Sequence, residues 1–372
     1  MPTFSPHQDQ ALKAVADWLD AKPGEGGTPQ VFRLFGYAGT GKTTLAKHIA
    51  DGVDGEVKFA AFTGKAAHVM RGKGCRGATT IHSLIYKARE SDQELPNFEL
   101  WDDAPAANAK LIVIDECSMV DAELGRDLKS FGVPLLVLGD PAQLPPIQGG
   151  GFFTDAAPDA MLTEVHRQAQ DDPIVRLSMD IRAGRELSPG DYGETAVVKR
   201  AALDPQRVLS ADQVLVGRNA TRRAYNGRMR ERRGFADPMP IAEDKLVCLR
   251  NNRRKGLFNG SLWVVKQVPA TRRGIMKMHL VRDEDTGGAG KSVKVSVRPE
   301  CFTGVLEQLD WTLRKPYDEF DYGYVLTVHK AQGSQWDDVV LFDESFAFPD
   351  SRDRWLYTGV TRAAKRLTVV VQ

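Results

Sequence analysis

The chain has 372 residues, which at about 100–200 residues per domain is enough for two or three domains with sizeable cores. Its 50 Lys and Arg against 49 Asp and Glu leave a formal net charge of +1, far from the profile of a polycationic nucleic-acid binder. A hydrophobic share of 42% and a charged share of 27% fit a globular protein and exclude wholesale disorder. The longest apolar runs, Leu111–Ile114 and Pro134–Leu138, are far too short to span a bilayer. Residues 1–10 lack the basic-then-apolar pattern of an export signal, so a cytoplasmic protein is expected. Cys75, Cys117, Cys248 and Cys301 are scattered, without a Cys-x-x-Cys pair, which argues against a disulfide scaffold and a zinc ribbon.

Taken in order, residues 5–21 open on Ser-Pro and place Leu12, Val15, Trp18 and Leu19 at helical spacing. After a Gly/Pro-rich break, the run Val31–Phe35 predicts a strand that leads into a Gly-rich segment. Leu111–Ile114 and Leu135–Leu138 read as further strands, with helical segments between them. Such alternation predicts a parallel α/β sheet with ligands at the carboxyl ends of its strands. From about 236 to 315 short alternating runs broken by Asn-Gly and Gly-Gly predict an inserted antiparallel β module. The α/β pattern resumes at Tyr324–Val328, Val339–Phe342 and Leu367–Val371.

Charge is unevenly spread. Residues 1–150 carry a net −4 and residues 151–372 a net +5. Arginines 218, 222, 223, 228, 230, 232 and 233 face one acid, Glu231, and Arg250, Arg253, Arg254 and Lys255 follow. Alone, such a run reads as a solvated helix face; the sharper reading, which charge alone cannot decide, is a phosphate-contacting surface.

Residues Gly36-Tyr-Ala-Gly-Thr-Gly-Lys-Thr43 satisfy G-x-x-x-x-G-K-[ST] between a predicted strand and a predicted helix. Gly36, Ala38, Gly39, Thr40, Gly41 and Thr44 belong to a loop whose backbone N–H groups close on phosphate oxygens. Lys42 supplies a point charge to the β and γ phosphates, and Thr43 a hydroxyl for Mg²⁺. Asp115, at the end of Leu111–Ile114, is the second Mg²⁺ anchor, and the adjacent Glu116 is placed to deprotonate water. These residues call for ATP and Mg²⁺.

The remaining motifs resemble those of superfamily 1 helicases. Gly139-Asp-Pro-Ala-Gln143-Leu-Pro-Pro-Ile147 resembles motif III, Leu162-Thr-Glu-Val-His-Arg167-Gln168 motif IV, Leu326-Thr-Val-His329-Lys330-Ala-Gln332-Gly333 motif V, and Leu356-Tyr357-Thr-Gly-Val-Thr361-Arg362 motif VI. Ala61-Phe62-Thr63-Gly64-Lys65 resembles motif Ia, Thr80-Ile81-His82-Ser83-Leu84 motif Ib, and Gln8 the Q-motif glutamine. The wording is most similar to the RecD/Dda branch, whose members move 5′ to 3′.

The resemblance implies two RecA-like P-loop NTPase domains, parallel sheets flanked by helices. A first domain would span 1–150 with a reduced hairpin near 85–105, a second 151–235 plus 319–372, and a small SH3-like β-barrel 236–318 would be inserted in it. It implies that Gln8 reads adenine, that Gln143 senses the γ-phosphate, that Arg167 and Arg362 reach it as arginine fingers, and that Gly333 borders the nucleotide. Tyr37 and Tyr357 are candidates to lie near it. Phe62, Thr63, Lys65, His82, Thr327, His329 and Lys330 would bind single-stranded DNA without reading its sequence. The expected protein is a monomeric motor on single strands and forks, with no membrane and with replication or recombination proteins as further partners. The alternative is a DNA-stimulated ATPase that translocates, strips proteins or serves a larger complex without robust unwinding. The short, acidic stretch 87–101 favours that alternative, since relatives place a duplex-splitting hairpin there.

Overall fold

The computed structural model describes residues 4–88, 98–145, 151–165, 171–235, 237–257, 259–272, 274–283 and 292–372. Its chain forms two compact units. The first takes the described parts of Met1–Lys87, Glu99–Leu203 and Gln332–Gln372; the second those of Ala88–Phe98 and Asp204–Ala331. These bounds differ from the expected scheme, because 151–203 and 332–372 group with the phosphate-loop sheet.

The first unit contains a six-stranded sheet in the order Thr79–Thr80, Val57–Ala61, Leu111–Asp115, Leu135–Gly139, Val31–Gly36, Ala160–Leu162. Every pair in it is parallel. Alternation explains the continuous apolar runs. Leu111 and Val113 join one core cluster with Leu34, Leu45 and Val15, while Ile112 and Ile114 join another with Phe35, Leu84 and Leu128. Both faces are thus covered, as a parallel sheet requires. The first helix, Pro6–Asp20, follows the sequence reading closely: Ser5 caps it, and Ser5 and Gln8 form a capping box.

Four further strands in this unit run in the order Trp336–Phe342, Ala363–Val371, Thr195–Lys199, Gly190–Tyr192. The first two pairings are parallel and the last antiparallel. The short strands Tyr86–Ala88 and Phe98–Leu100 pair with each other around the segment 89–97, which lies outside the described residues.

The second unit holds the parallel pair Gln213–Val216 and Val325–Thr327. It also holds an antiparallel sheet in the order Val293–Val297, Ile275–Arg282, Leu262–Arg272, Lys245–Cys248, Phe320–Tyr322. Its last strand falls past residue 318, where the inserted module was expected to end. Its three residues, Phe-Asp-Tyr, are too few to show a period.

The arginine run lies on the helix Asn219–Arg232 and its two flanking residues, and it divides in two. Arg218, Arg223, Arg228, Arg232 and Arg233 are exposed. Arg222 and Arg230 are buried. Arg222 pairs with Asp321 at 2.8 Å. Arg230 meets both oxygens of Asp244 at 3.2 Å, donates to Met239 O at 2.8 Å, and lies 4.4 Å from the centre of the Tyr322 ring. Tyr324 adds a 2.7 Å bond to the same carboxylate. A single solvated face is therefore not what the run builds: two of its members hold the helix to the antiparallel sheet.

Removing one partner from a buried pair leaves the other charge uncompensated. Asp244→Ala is expected to cost ~3–5 kcal/mol, whereas Arg223→Ala and Arg228→Ala should stay within about 0.5 kcal/mol. Urea unfolding midpoints compared at equal m-value check both.

Candidate nucleotide site

The phosphate loop follows from its glycines. Gly39 and Gly41 have φ of +76° and +78°, which a side chain would strain. Gly36 has ordinary φ, but a Cβ there would meet Thr40 Oγ1 at 2.7 Å and Leu162 Cβ at 2.8 Å. Gly41 is also the N-cap of the helix Lys42–Asp51, and no side chain caps that end. Its first N–H groups therefore point into the loop with the positive end of the helix dipole behind them. Gln8 lies beneath: it is buried, and its Nε2 donates to Thr40 O at 3.0 Å. In this structure its side chain holds the loop.

A cavity of about 320 Å³ opens above the loop, lined among others by Ala38, Gly39, Lys42, Thr44, Gln143 and Gly333. Lys42 Nζ donates to Gly36 O at 2.6 Å and Tyr37 O at 3.0 Å. Thr43 Oγ1 lies 3.1 Å from Asp115 Oδ2. That hydroxyl–carboxylate pair is a hard-oxygen donor set, and Mg²⁺ is commonly held by one or two protein oxygens together with substrate phosphates and water. Asp115 and Glu116 also line the cavity, as does Arg362.

Glu116 occupies the left-handed region at φ +53°, rare for a residue with a side chain. Its Oε1 lies 3.8 Å from Arg362 Nη1. Burial pushes the Glu116 carboxyl above the usual carboxylate range; Arg362 pulls it back and Asp115 adds to the rise. Arg362 is buried and anchored, through Nε to Thr358 O at 3.0 Å and Nη1 to Ser334 O at 3.2 Å.

Two further links escaped the sequence. Arg182, on the helix Pro173–Arg182, lies 3.1 Å from the centre of the Tyr37 ring. Tyr357 and Asp140 are buried and bonded at 2.7 Å. Neither link has a spacing signal, because each joins residues more than 140 positions apart. Arg167 lies outside the described residues.

The residues expected to face DNA fall on both units. Phe62, His82 and Tyr86 form an aromatic series with ring centres 6.0 and 5.8 Å apart. Thr63 caps the helix Gly64–Gly72 by accepting from Ala66 N at 3.1 Å, and donates to Gly333 O at 2.8 Å. Its hydroxyl is thus engaged in both directions. Lys65 Nζ sits 4.1 Å over the Trp336 ring. In the second unit, Thr327 is buried and accepts from Lys330 N at 3.3 Å. His329 and Lys330 are half-buried, and burial lowers the pKa of both.

A parallel α/β core with this loop, this Thr–Asp pair and this carboxylate defines a P-loop nucleoside triphosphatase. The family model for the AAA domain matches residues 7–201, and that for the UvrD-like helicase C-terminal domain matches 322–370. The chain belongs to that AAA-domain family, and its similarity is to superfamily 1 helicases of the RecD/Dda type. The ATP-dependent RecD2 DNA helicase of Deinococcus radiodurans is 28% identical over 90% of this chain and 46% of its own length. The ATP-dependent DNA helicase dda of Enterobacteria phage T4 is 30% identical over 40% of this chain and 37% of its own. The chain thus spans less than half of either relative. Bacteroides Pif1 bound to single-stranded DNA superposes at TM-score 0.55 and 18% identity over 99% of this chain and 92% of that chain, a likeness of fold. Two coordinating Pif1 helicases at forked DNA give 0.57 at 17%, over 99% and 92%.

The ordinary pKa of a glutamate is about 4.3. Followed by its carboxyl ¹³C shift, Glu116 should titrate above that value, and Arg362→Met should raise it further by removing the opposing cation. Because the folded carboxyl is the weaker acid, its contribution to stability is full at low pH and is lost as pH rises through the raised value.

Proposed function

We propose that the chain is an ATP-driven motor that moves along single-stranded DNA and unwinds duplexes 5′ to 3′. The carrying observation is the single cavity that gathers Lys42, Thr43, Asp115, Glu116, Gln143 and Arg362. Lys42 and the helix amides take the β and γ phosphates. Thr43 and Asp115 would hold Mg²⁺, which would supply positive charge to offset that of the phosphates. Water attacks the γ-phosphorus as the β–γ bridging oxygen leaves. Glu116 accepts the water's proton, and Arg362 stabilises charge on the transferred group.

The names of the relatives support this reading, since RecD2 and dda are both called ATP-dependent DNA helicases. So does the solved Bacteroides Pif1 with ADP-AlF3 and single-stranded DNA. The two RecA-like domains, the SH3-like character of the antiparallel sheet, the DNA-facing residues, monomeric action and a cytoplasmic setting belong to the same proposal. The exposed arginines Arg223, Arg228 and Arg232 would line the DNA path. Neutralising them should flatten the salt dependence of DNA binding by roughly one slope unit for each phosphate that is no longer neutralised, with ATP affinity unchanged.

A second reading is translocation without robust unwinding. It is favoured by the short, acidic stretch 87–101 of the sequence, which offers at most a reduced duplex-splitting hairpin. Forked duplexes with a 5′ or a 3′ tail separate the readings. Unwinding of the 5′-tailed fork alone is expected. Tail-stimulated ATPase with no strand separation would support the second reading, and activity on the 3′ tail alone would reverse the polarity. Lys42→Ala should abolish turnover and leave single-strand binding within about threefold, because it removes a phosphate ligand and no DNA-binding group.

A further inference from the structure

Tyr357 is one of the largest fully buried side chains among the described residues. Its hydroxyl accepts the Ala38 backbone N–H at 2.8 Å and donates to Asp140 Oδ2 at 2.7 Å. The direction is fixed, because an amide can only donate and a phenol has one proton. Burial, reinforced by the Asp140 charge, keeps the phenol protonated far beyond neutral pH. Asp140 Oδ1 accepts from Ala142 N at 3.0 Å, and Asp140 O accepts from Gln143 N at 3.2 Å. The turn that presents Gln143 is therefore built on the carboxylate that Tyr357 holds. Leu144 N donates to Thr358 Oγ1 at 2.8 Å, so the residue next to Tyr357 anchors the far end of the same turn.

We propose that Tyr357 is a positioning residue for hydrolysis: its hydroxyl joins the Ala38 peptide of the phosphate loop to Asp140 and so sets where Gln143 stands in the cavity. The proposal rests on the ATPase reading above. Phosphate binding aligns the loop peptides, the Ala38 N–H carries that alignment to the phenol oxygen, and the phenol proton carries it to Asp140. Deleting one oxygen atom cuts the track twice and leaves the half-buried Ala38 N–H and the buried Asp140 Oδ2 without this partner.

The test is Tyr357→Phe in the full chain, assayed beside wild type, Gln143→Ala, and the double variant. Tyr357→Phe should lower kcat about tenfold, as losing a buried polar partner predicts, while KM for ATP stays within about twofold. Because Tyr357 acts through Gln143, the double variant should turn over no more slowly than Gln143→Ala. Multiplicative losses, or a Tyr357→Phe kcat within about twofold of wild type, overturn the proposal. Wild type that hydrolyses no faster than Lys42→Ala would sink the ATPase reading instead. The link is then read without turnover, by amide hydrogen exchange on protein without added nucleotide. Tyr357→Phe should speed exchange at Ala38, Ala142 and Gln143; a change confined to Ala38 overturns the proposal. If Tyr357→Phe fails to fold, Asp140→Asn removes the charged acceptor and is read against the same outcomes.

Discussion

Both faces of the phosphate-loop sheet are covered, and that constraint governs where chemistry can occur. Leu111, Val113, Leu136 and Leu138 go to one core, and Ile112, Ile114, Leu135 and Val137 to the other. No face is left for a ligand, so the polar residues collect where the strands end. Parallel pairing then sets the depth of those ends. Phe35 lies opposite Gly139, and Ala61 opposite Asp115. The phosphate loop, the Asp115–Glu116 pair and the Asp140 turn therefore start from the same edge without any loop having to reach.

The electrostatics of that edge are a consequence of the same packing. Partial burial raises the proton affinity of Glu116, and Arg362 is the counterweight. Arg362 can serve because two backbone carbonyls hold it in place. A carboxylate poised between desolvation and a cation is what proton abstraction from water needs near neutral pH.

What could be read in the sequence was local. The loop Gly36–Thr43 carries its chemistry in eight consecutive residues, and Leu111–Asp115 announces itself as a buried strand ending in an acid. The helix Pro6–Asp20 was legible to within a residue or two, from its cap and its spacing. What could not be read depended on pairing at a distance. Nothing in the arginine run marks Arg222 and Arg230 as the buried members, since Asp321 and Asp244 that select them lie elsewhere in the chain. Thr63 and Gln8 were legible as motif positions, yet the partners of their polar atoms, Gly333 O and Thr40 O, were not. The strand Phe320–Tyr322 has too few residues to show a period.

The left-handed backbone at Glu116 carries a cost of its own. A non-glycine residue there gives up roughly 1–2 kcal/mol that glycine would not. Lys22 and Glu243 share that conformation, but at Glu116 it falls on the residue whose proposed chemistry needs a carboxylate. Under the proposed role, backbone stability and turnover therefore pull this one residue in opposite directions.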